Sequence, residues 1–196
     1  MYNWTNDIPQ GHKKIFLDVL KSIAPKNPIK VLEVGTYSGT SLIGIIKALQ
    51  PSQTTGIAID SWENYNESGE ITSKIIENKI EKIFYENIKK SGFENKVSAI
   101  KGDSHEILLK LIKEGQEKFD FIYVDGNHTC IHCYTDLVLT WDLLNSGGIL
   151  AIDDYLWNLN ENVLNHPKEA VDYFLDSYNG KYEIMSKLYR VFIKKL

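Results

Sequence analysis

A short apolar run followed by a longer stretch with helical spacing recurs five times along the sequence. The short runs are rich in residues that favour strands, and the longer stretches place apolar residues every three or four positions. Such alternation is typical of parallel strands joined by helical crossovers. The predicted strands are 30–34, 55–59, 97–100, 119–124 and 148–152, and the predicted helices are 38–49, 71–90, 104–113, 129–144 and 167–178.

The C-terminal region departs from this pattern. Residues 182–186 and 189–193 read as two strands with almost no chain between them, and so short a connection forces antiparallel pairing. A helix over about 12–23 precedes the first strand. We therefore predict an α/β protein with a doubly wound, mostly parallel, seven-stranded sheet that carries an antiparallel C-terminal hairpin at its edge. Residues 1–196 are predicted to form one domain, with an N-terminal helical segment over 1–28 and a core over 29–196.

Composition argues against several functional classes. The chain has 22 Lys and Arg against 26 Asp and Glu, and this net charge of −4 disfavours binding to long nucleic acids. A single arginine, Arg190, is typical of codon usage in an AT-rich genome and leaves few guanidinium groups for holding phosphate. The sequence shows neither a membrane-spanning apolar run nor a signal peptide, and Cys130 and Cys133 cannot build a disulfide framework. We expect a cytoplasmic protein without membrane or nucleic-acid partners.

Acidic residues and glycines follow the strands of the parallel series. Helix capping explains any single acid at such a position, but it does not explain why all five strand ends carry an acid. In open α/β sheets, ligands bind at the carboxyl ends of the strands. The pattern therefore predicts a ligand site at that edge, formed by Glu33, Asp60, Asp103, Asp125, Asp153 and Asp154.

The glycine loop after the first strand fits neither of the common phosphate-binding motifs. Tyr37 stands where a dinucleotide fingerprint needs its second glycine, and Gly35 and Gly39 lie one residue too close for a P-loop. A tight turn that lets the backbone approach a ligand without phosphates remains. Asp60 is placed to accept hydrogen bonds from ribose hydroxyls, and Trp62 could cover the face of an adenine.

These residues carry a resemblance to a known family. Residues 31–40, with the sequence VLEVGTYSGT, resemble motif I of class I S-adenosylmethionine-dependent methyltransferases, and the likeness runs from about residue 30 to 195. The chain most resembles the small O-methyltransferases called methyltransferase domain 24, which are related to macrolide and aminocoumarin sugar O-methyltransferases. The matching segments after motif I are 60–63, 102–104, 119–128, 147–155, 166–174 and 189–194.

The resemblance implies that S-adenosylmethionine is the cofactor and that 29–196 form the cofactor-binding and catalytic core. The glycine loop would line the methionine part, the residues after the second strand the ribose and adenine, and those after the third strand the adenine edge. Glu33 would either fix the loop or reach the amino group. The residues assigned to the cofactor are Glu33, Gly35, Thr36, Tyr37, Gly39, Asp60, Trp62, Asp103, Ser104 and Asp125.

The resemblance also implies a divalent metal, Mg²⁺, Mn²⁺ or Ca²⁺, held by Asp125, Asp153 and Asp154. Carboxylates suit such hard cations, and an ion that touches the substrate hydroxyl lowers its pKa. The alternative is that Asp153 and Asp154 cap the following segment and that Asp125 touches only the cofactor. His128 follows Asp125 by three residues and is a candidate base, or else a helix cap. Asp125 and His128 are thus the candidate catalytic residues.

The implied reaction is methyl transfer to a hydroxyl of a small-molecule acceptor, a sugar or glycoside. Residues 63–72 would form a lid, and Tyr155 and Trp157 would shape the acceptor pocket. Two alternatives stay open: a protein that binds S-adenosylmethionine without turnover, and a nicotinamide-dependent oxidoreductase. A homo-oligomer is also left open.

Two further motifs have simpler interpretations. Cys130 and Cys133 are spaced like a zinc or redox pair, but a structural zinc site needs a second pair of ligands, so we expect apolar packing. Tyr85 and Lys89 match the spacing of the short-chain dehydrogenase motif, yet they lie far from the predicted active edge and should form a helix surface.

Overall fold

A computed structural model describes residues 10–23, 28–49, 52–63, 74–157, 159 and 162–196. The helices are α1 (Gln10–Ile23), α2 (Thr40–Ala48), α3 (Lys74–Ser91), α4 (Ser104–Lys113), α5 (Cys130–Leu143) and α6 (Lys168–Ser177), with a short 3₁₀ helix over Val163–Asn165. The strands are β1 (Ile29–Val34), β2 (Thr54–Asp60), β3 (Val97–Lys101), β4 (Phe119–Val124), β5 (Leu144–Ile152), β6 (Tyr182–Lys187) and β7 (Val191–Lys195).

The seven strands form one sheet in the order β3-β2-β1-β4-β5-β7-β6. Strands β1 to β5 pair in parallel, whereas β7 is antiparallel to both β5 and β6. The predicted fold is therefore confirmed, including the antiparallel hairpin at the edge. The hairpin joins the sheet through its second strand, so the turn between β6 and β7 lies beside the carboxyl end of β5.

Several predicted elements differ from the structure by one or two residues at their ends; β7, for example, begins at Val191, two residues later than predicted. Strand β5 begins at Leu144, directly after α5, four residues earlier than predicted. The apolar run starts only at Gly148, but Leu144 already pairs with Phe119, and a bulge follows before Phe121 pairs with Ile149. The structure describes α3 from Lys74 onward, and the predicted first residues of that helix, 71–73, lie outside the described residues.

Helices cover both faces of the sheet, which explains why its strands are continuous apolar runs. All six residues of β4 are buried. Phe121 and Tyr123 pack with α1, α2 and α3 on one face, and Ile122 and Val124 pack with α4, α5 and α6 on the other. Alternate residues of a strand point to opposite faces, so one short sequence serves both core layers.

The two simpler interpretations of the sequence motifs are confirmed. Cys133 is 5% exposed and packs in the core beneath α5, where burial raises the pKa of its thiol. Tyr85 is half exposed on the surface of α3. Among the described residues, no helix is both long and apolar enough to cross a membrane.

Helix α1 docks onto the sheet through one aromatic side chain. Phe16 is 1% exposed and makes edge-to-face contacts with Phe121, Tyr123 and Phe192, with ring centroids 6.4, 6.0 and 5.3 Å away. These three rings come from β4 and β7. Phe16 therefore joins the N-terminal helix to the strands that carry the acidic edge.

The docking predicts a large loss of stability on Phe16→Ala. Removing a buried phenylalanine leaves a cavity and typically costs about 3–5 kcal/mol of unfolding free energy. Urea denaturation followed by circular dichroism measures the change. Lys21→Ala, on the exposed side of α1, is the control and should stay within about 0.5 kcal/mol of the wild type. Equal effects of the two substitutions would contradict the docking role.

Candidate functional site

The carboxyl ends of the parallel strands meet at one edge of the sheet and surround an open cleft of about 640 Å³. Backbone hydrogen bonds continue past the strands and hold the ends together. Asp125 N donates to Val34 O at 2.9 Å, and Asp153 N donates to Val124 O at 3.0 Å. Of the predicted cofactor residues, those that line the cleft are Gly35, Tyr37, Asp60, Asp103, Ser104 and Asp125.

The loop after β1 passes very close to the end of β4. Gly35 has φ +82°, and a Cβ built there would lie 1.9 Å from the backbone oxygen of Asp125. Gly39 has φ +75°, and its Cβ would lie 2.7 Å from the ring of Phe84. Both positions require glycine, because other residues add a Cβ and strain at positive φ. Gly35 therefore shapes the wall of the cleft, whereas Gly39 lets the loop pack against α3.

Asp60 fixes the outer part of this loop. Its Oδ2 accepts a hydrogen bond from Tyr37 N and its Oδ1 accepts one from Trp62 N, both at 2.6 Å. Burial raises the pKa of Asp60, and the two amide hydrogen bonds oppose that rise. Because each carboxylate oxygen can accept a second hydrogen bond, Asp60 can still bind a ligand hydroxyl from the cleft.

Trp62 lies behind the cleft and does not line it. Its side chain is 3% exposed, its Nε1 donates to Tyr37 O at 2.7 Å, and its ring packs 5.2 Å from that of Phe84. In this structure Trp62 supports the glycine loop and offers no open face to the cleft. The predicted lid begins at Glu63, which lines the cleft, and the rest of that segment, 64–72, lies outside the described residues.

Glu33 lies beneath the loop, fully buried at the end of β1. The Thr36 hydroxyl donates to its Oε2, whereas its Oε1 meets no partner within hydrogen-bonding geometry. Burial raises the pKa of Glu33 to about 8, although the nearby hydroxyls of Ser41 and Thr36 lower it. At neutral pH this carboxyl is therefore mostly protonated and fixes the loop as a neutral group.

Asp103 and Ser104 form the wall of the cleft after β3. Asp103 Oδ1 accepts a hydrogen bond from Glu106 N at 3.1 Å and caps α4. Capping uses one lone pair of one oxygen and leaves the other oxygen of Asp103 available to the cleft. The structural role and the predicted ligand role of this residue are therefore compatible.

Asp125, His128 and Asp154 form a compact cluster at the end of the cleft. His128 Nε2 lies 3.0 Å from Asp154 Oδ2 and 3.9 Å from Asp125 Oδ1. Burial lowers the pKa of His128, but its hydrogen bonds with the two carboxylates outweigh burial and raise the pKa to about 10. Burial raises the pKa of Asp125 to about 6, which its hydrogen bond with His128 opposes. One ligand atom from each residue lies within 4.8 Å of the others.

Asp153, the third acid predicted to hold a metal, points away from this cluster. Its Oδ2 lies 2.8 Å from Arg190 Nη2 and accepts the hydroxyl hydrogen of Tyr123. Its side chain is only 5% exposed. The structure thus brings Asp125 and Asp154 together with His128, and it places Asp153 in a separate buried group.

Sequence reasoning missed the partners of Asp153. Arg190 was visible only as the single arginine of the chain, and Tyr123 only as part of a buried strand. It also missed the part of the cleft wall that Ile131 and His132 form in the first turn of α5. Trp157 lines the cleft, and its ring centroid lies 4.6 Å from that of His128. Tyr155, the other residue predicted to shape the acceptor pocket, is buried outside the cleft lining, and its hydroxyl donates to Asp172 Oδ1 at 3.0 Å.

Comparison with known proteins gives consistent results. Residues 32–155 match a family model described as a methyltransferase domain. The chain is 31% identical to caffeoyl-CoA O-methyltransferase of Stellaria longipes over 141 residues, 71% of this chain and 50% of that protein. It is 31% identical to flavonoid 3',5'-methyltransferase of Vitis vinifera over 145 residues, 73% of this chain and 53% of that protein. The chain thus spans about half the length of these curated relatives.

A solved structure shows the same fold. The O-methyltransferase from Bacillus cereus, determined in complex with SAH, superposes with a TM-score of 0.69 at 17% identity. The match covers 96% of this chain and 83% of that one, so it includes both the parallel sheet and the C-terminal hairpin.

The raised pKa of Glu33 predicts a particular pH dependence of stability. The folded protein keeps the Glu33 proton up to about pH 8, whereas the unfolded chain releases it near the ordinary pKa of 4.5. The folded state therefore binds more protons in this interval, and the free energy of unfolding falls as the pH rises. Glu33→Gln keeps the shape of the side chain without titration and should reduce this fall by several kcal/mol.

Urea unfolding at several values between about pH 5 and pH 8 measures the effect. Glu94→Gln, an exposed glutamate far from the loop, is the matched control and should keep the wild-type slope. Parallel pH profiles for the wild type and Glu33→Gln would show that Glu33 is ionised in the folded protein.

Proposed function

Because the chain belongs to the methyltransferase-domain family whose model matches residues 32–155, we propose that it is an S-adenosylmethionine-dependent O-methyltransferase. Its acceptor is a hydroxyl group of a small molecule. The observation that carries this proposal is the cleft itself, which places a glycine loop that matches no phosphate-binding motif next to an acid–histidine cluster. The first suits the cofactor, and the second suits a hydroxyl that must lose a proton.

The groups that line the cleft fit S-adenosylmethionine. Carboxylates at Asp60 and Asp103 match ribose hydroxyls and the adenine amino group, and the close approach at Gly35 lets backbone atoms meet the methionine part. Glu33 lies fully buried beneath the loop and supports it from behind. When bound, S-adenosylmethionine supplies the methyl group on its positively charged sulfur. The acidic lining complements that charge.

The cluster of Asp125, His128 and Asp154 also fits a divalent cation. The two carboxylates suit a hard cation such as Mg²⁺ or Mn²⁺ completed by water, and the imidazole, in its neutral form, is a better ligand for Mn²⁺ than for Mg²⁺. An ion held by these residues would lower the pKa of an acceptor hydroxyl and would help to orient it. This proposed set differs from the one expected from the sequence, because Asp153 is bound to Arg190.

The chain's own part in the reaction is positioning and proton transfer. Asp154 orients the ring of His128 across the 3.0 Å contact, and Trp157 packs against the same ring. His128 can receive the proton of the acceptor hydroxyl only as a neutral ring that holds no ion, and the pKa of about 10 keeps the ring protonated at neutral pH while the two carboxylates face it. Displacement of a methyl group needs the two reactants in line, so most of the rate gain comes from holding them in the cleft.

Two acceptor classes are favoured by different observations. The resemblance of the motifs to sugar O-methyltransferases favours a sugar or glycoside hydroxyl. The names of the relatives in Stellaria longipes and Vitis vinifera favour a phenolic hydroxyl. The half-buried ring of Trp157 offers a flat apolar surface that suits either kind of ring. The expected cytoplasmic location and the homo-oligomer stay predictions.

Calorimetric titration with S-adenosylmethionine tests the cofactor. We expect binding by the wild type, and about 10-fold or greater weakening in Asp60→Asn, which loses a charged acceptor for the ribose. Asp142→Asn, an exposed acid on α5, is the control and should bind as the wild type does. Binding of a nicotinamide dinucleotide in place of S-adenosylmethionine would favour an oxidoreductase and contradict the proposal.

Turnover with a panel of sugar and phenolic acceptors tests the chemistry and the metal. We expect chelator to remove activity and Mg²⁺ to restore it, and Asp154→Ala to lower kcat/KM about 100-fold with unchanged affinity for S-adenosylmethionine. Mass spectrometry of the methylated acceptor provides the measurement. Full activity in chelator would contradict metal assistance, and cofactor binding without turnover on any acceptor would favour a binding protein.

A further inference from the structure

Arg190 connects the C-terminal hairpin to the acidic edge of the sheet. It lies in the turn between β6 and β7, and its side chain is 18% exposed. Its Nη2 lies 2.8 Å from Asp153 Oδ2, and its Nε donates to Tyr123 Oη at 3.2 Å. A guanidinium contacts two groups through donors that are fixed in one plane, whereas the donors of an ammonium rotate at the end of a flexible chain. Arg190 therefore defines the position of Asp153 relative to both β4 and β7.

Both oxygens of Asp153 are already engaged within the protein. Oδ2 contacts Arg190 and Tyr123, and Oδ1 accepts a hydrogen bond from Asp154 N at 2.8 Å. The side chain is almost completely buried. To turn toward the cleft, the Asp153 carboxylate would have to break all of these contacts at once.

The next residue has a backbone conformation that needs external support. Asp154 has φ 56°, in the left-handed region that non-glycine residues rarely adopt. Its amide is held by Asp153 Oδ1, its carbonyl oxygen accepts from Trp157 N at 2.9 Å, and Tyr155 N donates to Tyr189 O at 3.0 Å. Two of the contacts that stabilise this turn thus depend on Asp153 or on the hairpin turn that contains Arg190.

The conformation of Asp154 decides where its carboxylate points. With the left-handed backbone, Asp154 Oδ2 lies 3.0 Å from His128 Nε2 and within reach of Asp125. With an ordinary extended or helical backbone, the side chain would leave in another direction. The two adjacent acids therefore have opposite orientations, one toward the interior of the protein and one toward the cleft.

We propose that Arg190 is a positioning residue of the acid–histidine cluster: it anchors Asp153 behind the site and so keeps Asp154 aimed at His128 and Asp125. The inference rests on the proposed function of that cluster. Groups that hold a ligand from behind commonly change metal affinity by 10–100-fold when they are removed. Arg190 does not touch the substrate, and its effect passes through the Asp153–Asp154 turn.

Mn²⁺ binding followed by electron paramagnetic resonance tests the proposal without any acceptor. We expect Arg190→Met to weaken Mn²⁺ affinity about 10-fold or more. Arg190→Lys keeps the charge but not the double contact, and should show a smaller loss. Lys187→Met is the matched control, since it removes a cation of the same hairpin that pairs with Asp172 of α6 and not with Asp153. Its Mn²⁺ affinity should equal that of the wild type.

Unchanged or tighter Mn²⁺ binding by Arg190→Met would mean that Arg190 does not position the cluster. If the ion binds Asp153 and Arg190 merely competes for it, Arg190→Met will bind Mn²⁺ as tightly as the wild type or more tightly. Such a result would overturn the proposal. Asp153→Asn supplies a second check: combined with Arg190→Met it should weaken binding no more than the stronger single substitution, because both act through one contact. Additive losses would overturn the proposal as well.

A readout that needs no metal separates this inference from the proposed function. The ring nitrogen signals of His128 in ¹⁵N NMR report its contact with Asp154, and His128→Gln assigns them. We expect these signals to move in Arg190→Met but not in Lys187→Met, with the signals of His105 unchanged in both. Unmoved His128 signals in folded Arg190→Met would refute the positioning role. A wild type that binds no Mn²⁺ would instead refute the metal, and the His128 signals would still decide on Arg190.

Discussion

Helices on both faces of a parallel sheet leave the strand ends as the main place where polar side chains can gather. Every residue of β4 is buried between two apolar layers, and polar groups within such a strand need partners there. Parallel strands also end at the same edge, so acids that are far apart in the sequence become neighbours. The cleft, the glycine loop and the acid–histidine cluster all follow from this single constraint.

The acids that gather at this edge would repel one another if all were charged and unpaired, and each of them has a different set of stabilising contacts. Glu33 keeps its proton, Asp60 accepts backbone amides, and Asp103 caps a helix. Asp153 is paired with the single arginine of the chain. The two remaining acids, Asp125 and Asp154, share His128, and one ligand atom from each of the three residues lies within 4.8 Å of the others. The net charge of −4 of the whole chain therefore does not reveal that the acids at this edge differ in protonation and in partners.

The C-terminal hairpin does more than close the sheet. Because β7 pairs with β5, the turn that carries Tyr189 and Arg190 lies directly against the acid pair that follows β5. Tyr123 and Phe16 extend this group of contacts through β4 to the N-terminal helix. The acidic edge is thus supported by both ends of the described chain.

The sequence by itself determined the α/β class, the seven strands, the terminal hairpin and most of the cleft lining, since these depend on local periodicity and on residues next to strand ends. It could not determine that β7 would lie beside β5, because strand order depends on packing between distant segments. It also could not separate Asp153 from Asp154. Adjacent acids look equivalent in a sequence, and only the left-handed backbone of Asp154 and the partly buried Arg190 turn one inward and the other toward the cleft.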